Sequence, residues 1–281
     1  MNTISHKYGR VGNNIYQLLN ILYESIKHNK KINIKTLYYL TPLFNIKQIE
    51  EYFNNNITIN DNDNDNDTIT DHFFPKNLHL SNERTVDLQQ YFNIAQEFIL
   101  PYISVDVSPL PEDVCVIHIR SGDQFSGSPH SGYVQPPTNY YIKIIEETKD
   151  KYNTFIIVTE PDKKNPCIKQ LQEYSNKIKV ISTSVKDDYT LLLRTQSIIL
   201  SRSSFSDTSI FLNPNLKYLY FWNYSHCLCD TSIIPQHIHT RKVDLHAPYI
   251  KCGEWNPNKK EQLQLMIEYD IKDITMTIVE N

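Results

Sequence analysis

Beyond Pro111, short apolar runs alternate with stretches whose apolar residues recur at helical spacing. The apolar runs are typical of buried strands and comprise Val114–Ile119, Phe155–Val158, Ile178–Ile181, Ile198–Leu200 and Leu216–Phe221. The helical patterns lie between most of these runs, at Thr138–Lys151, Cys167–Asn176 and Asp188–Gln196. Strands that alternate with helices predict an α/β fold with a parallel sheet covered on both faces. Such sheets bind ligands beyond the carboxyl ends of their strands, so polar residues there are candidates for a functional site.

The first part of the chain has a different character. A length of 281 residues suits two domains or one large α/β domain, and we expect an N-terminal domain over residues 1–110 and a C-terminal domain over residues 111–281. In the first, Asn13–Asn29 has one apolar face, which predicts a helix packed on a core. Residues 60–67 alternate Asn and Asp, which indicates a solvated low-complexity loop.

A glycine-containing segment, Gly9–Asn13, precedes the predicted N-terminal helix. Its two glycines, Gly9 and Gly12, permit a tight turn and a close backbone approach, and the start of a helix offers unpaired N–H groups. Such a segment can face an anion or a sugar, or it can be a turn and nothing more. The spacing alone does not decide between these two interpretations.

Charge and composition exclude some classes of protein. The formal net charge of −4 argues against a nucleic-acid-binding protein held by phosphate contacts. The sequence contains no apolar run long enough for a membrane span or for the core of a signal peptide. The five cysteines are scattered and odd in number, which fits reduced thiols. We therefore expect a cytoplasmic protein.

Two segments bear on metal binding. His226–Cys229 contains two cysteines with one residue between them, and His237 and His239 follow. Because structural zinc prefers cysteine pairs spaced by two or more residues, we interpret this segment as a polar loop after a strand. Asp-X-Asp triplets within residues 61–67 can hold a divalent ion where a strand fixes their geometry, but here they lie in the low-complexity tract. We predict no metal site.

The predicted strand Val114–Ile119 ends in polar and charged groups. His118, Arg120 and Asp123 follow at intervals of two and three residues. Charged side chains are unfavourable in a core unless they are paired or lie where a strand meets solvent, so we place Arg120 and Asp123 at the carboxyl edge of the sheet. The planar guanidinium group of an arginine can bind two phosphate oxygens at once. The alternative is a structural ion pair between Arg120 and Asp123.

A serine-rich segment follows the predicted strand Ile198–Leu200 and runs from Ser201 to Ser206. Serines before Asp207 and an apolar stretch indicate a capped helix start. The free N–H groups and the positive dipole end of such a helix favour a phosphate. The alternative is ordinary helix capping without a ligand.

Four motifs in this order, GRVGNN, HIRSGD, FIIVTEPD and SIILSRSSFS, resemble the succession of motifs in the α-1,2-fucosyltransferase family and its wider fucosyltransferase relatives. The resemblance covers most of the chain, and its specific part is the pair formed by HIRSGD and SSFS. The segment YVQPPTNYY is similar to the proline-containing entry to a helix that follows the arginine motif in that family.

The resemblance implies a GT-B-like α/β fold with two facing Rossmann-like domains, and an inverting glycosyltransferase without an essential metal or cofactor. It implies transfer of L-fucose from GDP-fucose, bound mainly by the C-terminal domain, to a hydroxyl group of a glycan acceptor on the N-terminal side. Arg120 would hold the diphosphate, and Gly12 and Asn13 would approach the sugar. The implied catalytic residues are Arg120, Asn13 and Asp123. The implied donor-binding residues are Gly12, His118, Arg120, Ser203, Ser204, Phe205 and Ser206.

The chain departs from the family pattern at several positions. Ser121 stands where related enzymes usually carry a second arginine, and Asn14 replaces a usual glutamine. Asp207 and Thr208 replace tryptophans that often follow the serine motif. Two alternatives therefore stay open: a transferase of the same fold that uses another nucleotide sugar, and a non-catalytic module that binds a glycan or a nucleotide. The sequence does not identify a general base, and by residue type alone the candidates are Glu24, Asp123, Glu160 and Asp188.

Overall fold

The structure is a computed structural model that describes residues 1–4, 10–57, 88–127, 129–222 and 234–279. The chain divides into two compact units. The first comprises Met1–Asp106 and Thr208–Pro214, and the second comprises Val107–Asp207 and Asn215–Asn281. The sequence predicts a boundary after residue 110, close to the first of these divisions, but no pattern in it indicates that a later segment groups with the first unit.

Helices dominate the described part of the first unit. Its helices are α1 (Val11–His28), α2 (Ile46–Asn56) and α3 (Leu88–Ile94), and its strands β1 (Asn2–Thr3) and β2 (Ile32–Asn33) form a short parallel pair. Helix α1 follows the predicted apolar pattern and buries Ile15, Leu18 and Leu22. The hydroxyl group of Tyr91 on α3 donates a 2.6 Å hydrogen bond to buried Asn20 on α1, which ties the two helices together.

A seven-stranded sheet forms the centre of the second unit. Its strands are β3 (Val114–Ile119), β4 (Thr154–Thr159), β5 (Ile178–Ile181), β6 (Ser197–Ile199), β7 (Tyr218–Trp222), β8 (His239–Leu245) and β9 (Ile274–Val279). They lie in the order β5-β4-β3-β6-β7-β8-β9, and β9 alone in this sheet pairs antiparallel with its neighbour. The predicted α/β fold with a parallel sheet is confirmed.

The six parallel strands have the strand order of a Rossmann fold. The chain enters the sheet at β3, proceeds outwards to β5, returns to β6 beside β3 and continues to β8. The direction of winding therefore reverses between β3 and β6. In open α/β sheets, ligands bind at such a switch point, beyond the carboxyl ends of the strands. We therefore expect a functional site at the segments that follow β3 and β6.

Helices of the second unit pack on its sheet. They are α4 (Thr138–Thr148), α5 (Pro166–Tyr174), α6 (Val185–Arg194) and α8 (Lys260–Glu268). Helix α7 (Ser204–Leu212) begins in this unit, and its part from Thr208 groups with the first unit. Side chains of α4, α5 and α8, among them Tyr140, Ile144 and Met266, pack with inward-facing strand residues such as Ile117 and Phe155. In the part of the chain that the structure describes, no helix has both the length and the apolar character needed to cross a membrane.

Candidate active site

The segments that follow β3 and β6 contact each other at the switch point. His118 lies near the end of β3, and its Nδ1 is 2.8 Å from the hydroxyl oxygen of Ser201, which follows β6. Arg120 follows β3 directly, and its Nη1 donates a 3.3 Å hydrogen bond to the hydroxyl oxygen of Ser203. Each contact joins residues that are 83 positions apart in the chain. The fold therefore brings the two sequence motifs with the highest specificity into one site.

His118 is a buried and uncharged member of this site. It is 4% exposed, and its ring centroid lies 5.6 Å from that of Phe205. Burial, with a smaller contribution from the positive charge of Arg120, lowers the pKa of His118 to about 3. The imidazole is therefore neutral at physiological pH and adds no positive charge to the site. Its contacts position Ser201 and Phe205.

The guanidinium group of Arg120 has hydrogen-bond partners at two of its three nitrogens. Nη2 donates to both carboxylate oxygens of Asp123, at 3.0 and 3.2 Å, so the ion pair that the sequence allowed is present. The central guanidinium carbon lies 5.4 Å from the ring centroid of Tyr133, as in a cation–π contact. Nε is buried and has no acceptor among the described residues. An anionic oxygen is the chemical group that such a buried, charged N–H donor prefers.

Acidic residues after β4 hold the turn that follows Arg120. The backbone N–H of Ser121 donates a 2.6 Å hydrogen bond to Glu160. The carboxylate of Asp162 accepts from the Ser121 hydroxyl group at 2.8 Å and from the Gly122 N–H at 3.1 Å. The acidic turn in the motif FIIVTEPD therefore has a defined structural role, which is to fix the backbone at residues 121 and 122.

Asn165 and Gly122 restrict the same turn further. The Asn165 side chain donates to the carbonyl of Arg120 at 2.9 Å, and its backbone N–H donates to the Ser121 hydroxyl oxygen at 3.0 Å. Gly122 has a φ of +58°, and a Cβ at this position would lie 3.3 Å from a carboxylate oxygen of Glu160. Both the backbone conformation and the available space favour glycine here.

Helix α7 begins at the switch point and is capped by the serine motif. The hydroxyl oxygen of Ser203 accepts a 3.3 Å hydrogen bond from the Phe205 N–H, and the Ser206 hydroxyl group donates to the Ser203 carbonyl at 3.1 Å. Ser203 thus caps the helix, as the sequence allowed, and also contacts Arg120. The amino end of α7 and the guanidinium group lie side by side, and both favour negative charge.

Four residues outside the predicted set also belong to this region: Tyr133, Gln135, Arg202 and Cys252. The side chain of Gln135 donates a 3.2 Å hydrogen bond to the carbonyl of Arg202, whose own guanidinium group donates to the thiol of Cys252 at 3.3 Å. Burial raises the pKa of Tyr133, and the positive charges of Arg120 and Arg202 oppose that shift. The YVQPPTNYY segment was the available sequence signal for Tyr133 and Gln135.

Gly12 and Asn13 lie in the first unit, in the first turn of α1. This helix begins at Val11, so these two residues are helical and do not form the loop that the glycine spacing suggested. Gly9 lies outside the described residues. The implied contact of Gly12 and Asn13 with a sugar stays a prediction.

The four carboxylates considered as general bases have different surroundings. Asp123 holds the guanidinium group of the site, and Glu160 accepts a backbone hydrogen bond from the adjacent turn. Asp188 on α6 accepts hydrogen bonds from the N–H and the hydroxyl group of Thr183, and burial raises its pKa. Glu24 lies on α1 in the first unit. None of these contacts shows which carboxylate would take the proton from the hydroxyl group of a glycan acceptor. The base is therefore not identified.

The predictions about metals fall largely outside the described residues. The tract at 60–67 and the segment His226–Cys229 lie there. His239 is the first residue of β8, so the polar loop predicted in this region ends before it. Among the residues that the structure describes, no three histidine, cysteine or acidic side chains are grouped so that they could hold a metal ion.

Comparison with known proteins gives one family match. The family model described as Glycosyl transferase family 11 matches residues 1–224, which include the first unit and the second unit as far as β7. No curated protein sequence gives a significant match to the chain.

Proposed function

The chain belongs to glycosyl transferase family 11, a family of fucosyltransferases, and is a glycosyltransferase; we propose that it transfers L-fucose from GDP-fucose to a hydroxyl group of a glycan, with inversion at the sugar carbon. The observation that carries this proposal is the position of Arg120 at the Rossmann switch point, with a buried Nε–H that has no acceptor among the described residues. Such a donor suits an oxygen of a nucleotide diphosphate.

The chemistry requires positive groups at this position. When the bond between the sugar and the diphosphate breaks, negative charge builds on the departing phosphate. A fixed guanidinium group stabilises this charge more in the transition state than in the ground state. In the proposed mechanism, Arg120 binds a phosphate oxygen through Nε, while Asp123 and Ser203 hold its other nitrogens. The proton of the acceptor hydroxyl group leaves to a base that is not yet assigned.

The amino end of α7 has the second role in this proposal. Ser203 caps the helix, and Ser204, Phe205 and Ser206 begin it. The N–H groups of a first helical turn attract a phosphate. His118, neutral and in contact with Phe205, positions this turn against β3. Gly12 and Asn13 are proposed to contact the sugar.

A panel of nucleotide sugars tests the proposal directly. The protein is incubated with GDP- and UDP-sugars, with and without glycan acceptors, and release of the nucleotide is measured. We expect release of GDP from GDP-fucose, faster when a suitable acceptor is present. Turnover of UDP-sugars alone would reject GDP-fucose as the donor. Tight binding of GDP without turnover on any acceptor would instead support the non-catalytic module.

The proposed reaction needs no divalent ion, because Arg120 and the amino end of α7 supply the positive charge. We expect transfer to continue unchanged in a chelator, and replacement of Asp61, Asp63, Asp65 and Asp67 by Asn to leave the rate unaltered. The rate of transfer before and after chelation is the measurement. Activity that is lost in the chelator and restored by manganese would contradict a metal-free mechanism.

The thiols suggest a reducing compartment, and the cytoplasm is the proposed location. Cys115, Cys167 and Cys252 are free, and Cys252 is exposed. An exposed free thiol is typical of a protein kept in a reducing environment. Alkylation of the protein from its native cells, in denaturant so that buried thiols react and before any reductant is added, should therefore label all five cysteines. Thiols that become accessible only after reduction would argue for an oxidising compartment.

A further inference from the structure

The second unit contains a cavity at the opposite edge of its sheet from Arg120. Its volume is about 510 Å³, within the range of small-molecule sites. The walls come from the end of α4, from the amino ends of β7 and β8, and from the antiparallel strand β9. They include Lys151, Tyr218, Tyr220, Arg241, Met276 and Ile278. No role in the proposed transfer reaction involves this edge of the sheet.

Lys151 and Arg241 face this cavity without a carboxylate partner among the described residues. Two other cations of the same unit are paired: the Nζ of Lys217 lies 2.6 Å from a carboxylate oxygen of Glu112, and the Nζ of Lys242 lies 3.0 Å from a carboxylate oxygen of Asp244. The acidic residues that line the cavity do not replace such a partner. Glu147 pairs with Lys143 at 3.0 Å. Asp150 lines the cavity but lies in no ion pair with Lys151 or Arg241.

Two aromatic rings lie next to Lys151. Its ammonium group lies over the ring of Tyr218 and 5.1 Å from the ring centroid of Tyr152, which are positions for cation–π contacts. Partial burial lowers the pKa of Lys151 to about 8; the positive charge of Arg241 acts in the same direction, and the negative charge of Glu112 acts against it. An anion bound between the two cations would relieve this repulsion.

Part of the cavity wall is apolar. Tyr220 forms a fixed part of it, because its hydroxyl group is 3.0 Å from that of Tyr152, which in turn donates to Ser197 at 2.9 Å. Met276 and Ile278 line the β9 side, and Ile278 is 68% exposed. A large apolar side chain this exposed, beside two cations, suits a ligand that has both an apolar and an anionic part.

We propose that this cavity binds a small aromatic anion, with its carboxylate or phosphate between Lys151 and Arg241 and its ring against Met276 and Ile278. The site is separate from the donor site and lies outside the proposed transfer reaction. Binding can therefore be measured whether or not the protein transfers fucose.

Phenyl phosphate is a suitable probe, titrated into the full chain by calorimetry with GDP present in excess to occupy the site at Arg120. We expect one binding event. Inorganic phosphate should bind at least about tenfold more weakly, because it lacks the ring. Benzoate should bind as well, since the site requires an anion attached to a ring. Failure of phenyl phosphate to bind, or equal affinity for inorganic phosphate, would overturn the proposal.

Matched variants locate the binding. Arg241→Gln and Lys151→Gln should each weaken phenyl phosphate binding by about ten- to hundredfold, because each removes one charge-assisted hydrogen bond. Lys242→Gln is the control, since Lys242 is next to Arg241 on β8, faces the other side of the sheet and pairs with Asp244. Circular dichroism confirms that each variant is folded. A loss of the same size in Lys242→Gln, or in Arg120→Lys, would place the binding elsewhere.

Discussion

At the scale of single residues, Arg120 has more hydrogen-bonding capacity than its protein partners use. Its ion pair with Asp123 involves a carboxylate side chain that is 46% exposed, and pairs of this kind contribute about 0–1 kcal/mol. Stability alone therefore gives little reason for an arginine at this strand end. Its planar fork, with a buried Nε that has no acceptor among the described residues, is better explained by an anionic ligand.

Replacement of Arg120 by lysine separates these two explanations. Arg120→Lys keeps a positive charge but loses the planar fork, and loss of one preorganised donor to a developing anion reduces turnover by about 10²–10³. We expect a fall of that size, with a smaller loss of thermal stability than Ile117→Ala, a core change on the same strand that costs about 2–5 kcal/mol. Steady-state kinetics and thermal melting are the two measurements. A variant that melts early but turns over normally when folded would make Arg120 a structural partner of Asp123.

The neutral state of His118 predicts how stability depends on pH. An unfolded histidine has a pKa near 6.5, whereas burial lowers that of His118 to about 3. Between these values the unfolded chain binds the extra proton, so the free energy of unfolding falls as the pH drops below about 6.5, by up to about 1.4 kcal/mol per pH unit. In His118→Asn this component should vanish. Urea unfolding at a series of pH values measures it, and an unchanged pH slope in the variant would contradict a buried, neutral His118.

At the scale of secondary structure elements, Ser203 has two roles, because it caps α7 and accepts a hydrogen bond from Arg120. Ser203→Ala should lower the free energy of unfolding by about 0.5–2 kcal/mol, because the Phe205 N–H loses its acceptor. It should also slow transfer by up to about tenfold, because Arg120 loses a hydrogen bond.

A second capped helix gives a matched control for that prediction. Ser184 caps α6 and accepts a 3.1 Å hydrogen bond from the Asp187 N–H, but it makes no contact with Arg120. Ser184→Ala should therefore lose similar stability and keep the normal rate of transfer. If both variants change the rate equally, the effect of Ser203 comes from helix stability and not from its contact with Arg120.

Local sequence patterns predicted most elements but few of the contacts between them. Strand β3 and the start of α4 at Thr138 agree with their predicted positions, because buried apolar runs and helical spacing are local signals. Strand β8 was missed, since its sequence HTRKVDL contains charged residues that an apolar run does not have. The contacts of Arg120 with Ser203 and of Ser121 with Asp162 depend on which strands are neighbours, and periodicity does not encode that order.

At the scale of the whole molecule, GDP, the nucleotide part of the proposed donor, should stabilise the second unit selectively. Ligand at 100 times its dissociation constant adds about 2.7 kcal/mol to the free energy of unfolding. For a unit of this size the melting temperature should rise by about 5–10 °C. We therefore expect excess GDP to raise the transition of the second unit, which contains Arg120 and Ser203. Calorimetric melting measures the shift.

The matching controls are UDP and the Arg120→Lys variant. UDP at the same concentration should cause a smaller shift if the nucleotide base is recognised, and Arg120→Lys should lose most of the shift with GDP. An equal effect of both nucleotides would leave the family assignment intact but remove the preference for a guanosine donor. No shift with GDP would contradict a donor site at Arg120.

The five hydrogen bonds that hold residues 120–122 have a consequence for the time course of donor binding. A segment already fixed in its bound geometry has little conformational entropy left to lose when a ligand arrives. Association of GDP with this part of the protein should then be a single fast phase whose rate rises in proportion to nucleotide concentration. A slower, concentration-independent phase in stopped-flow traces would have to originate in some other segment of the chain.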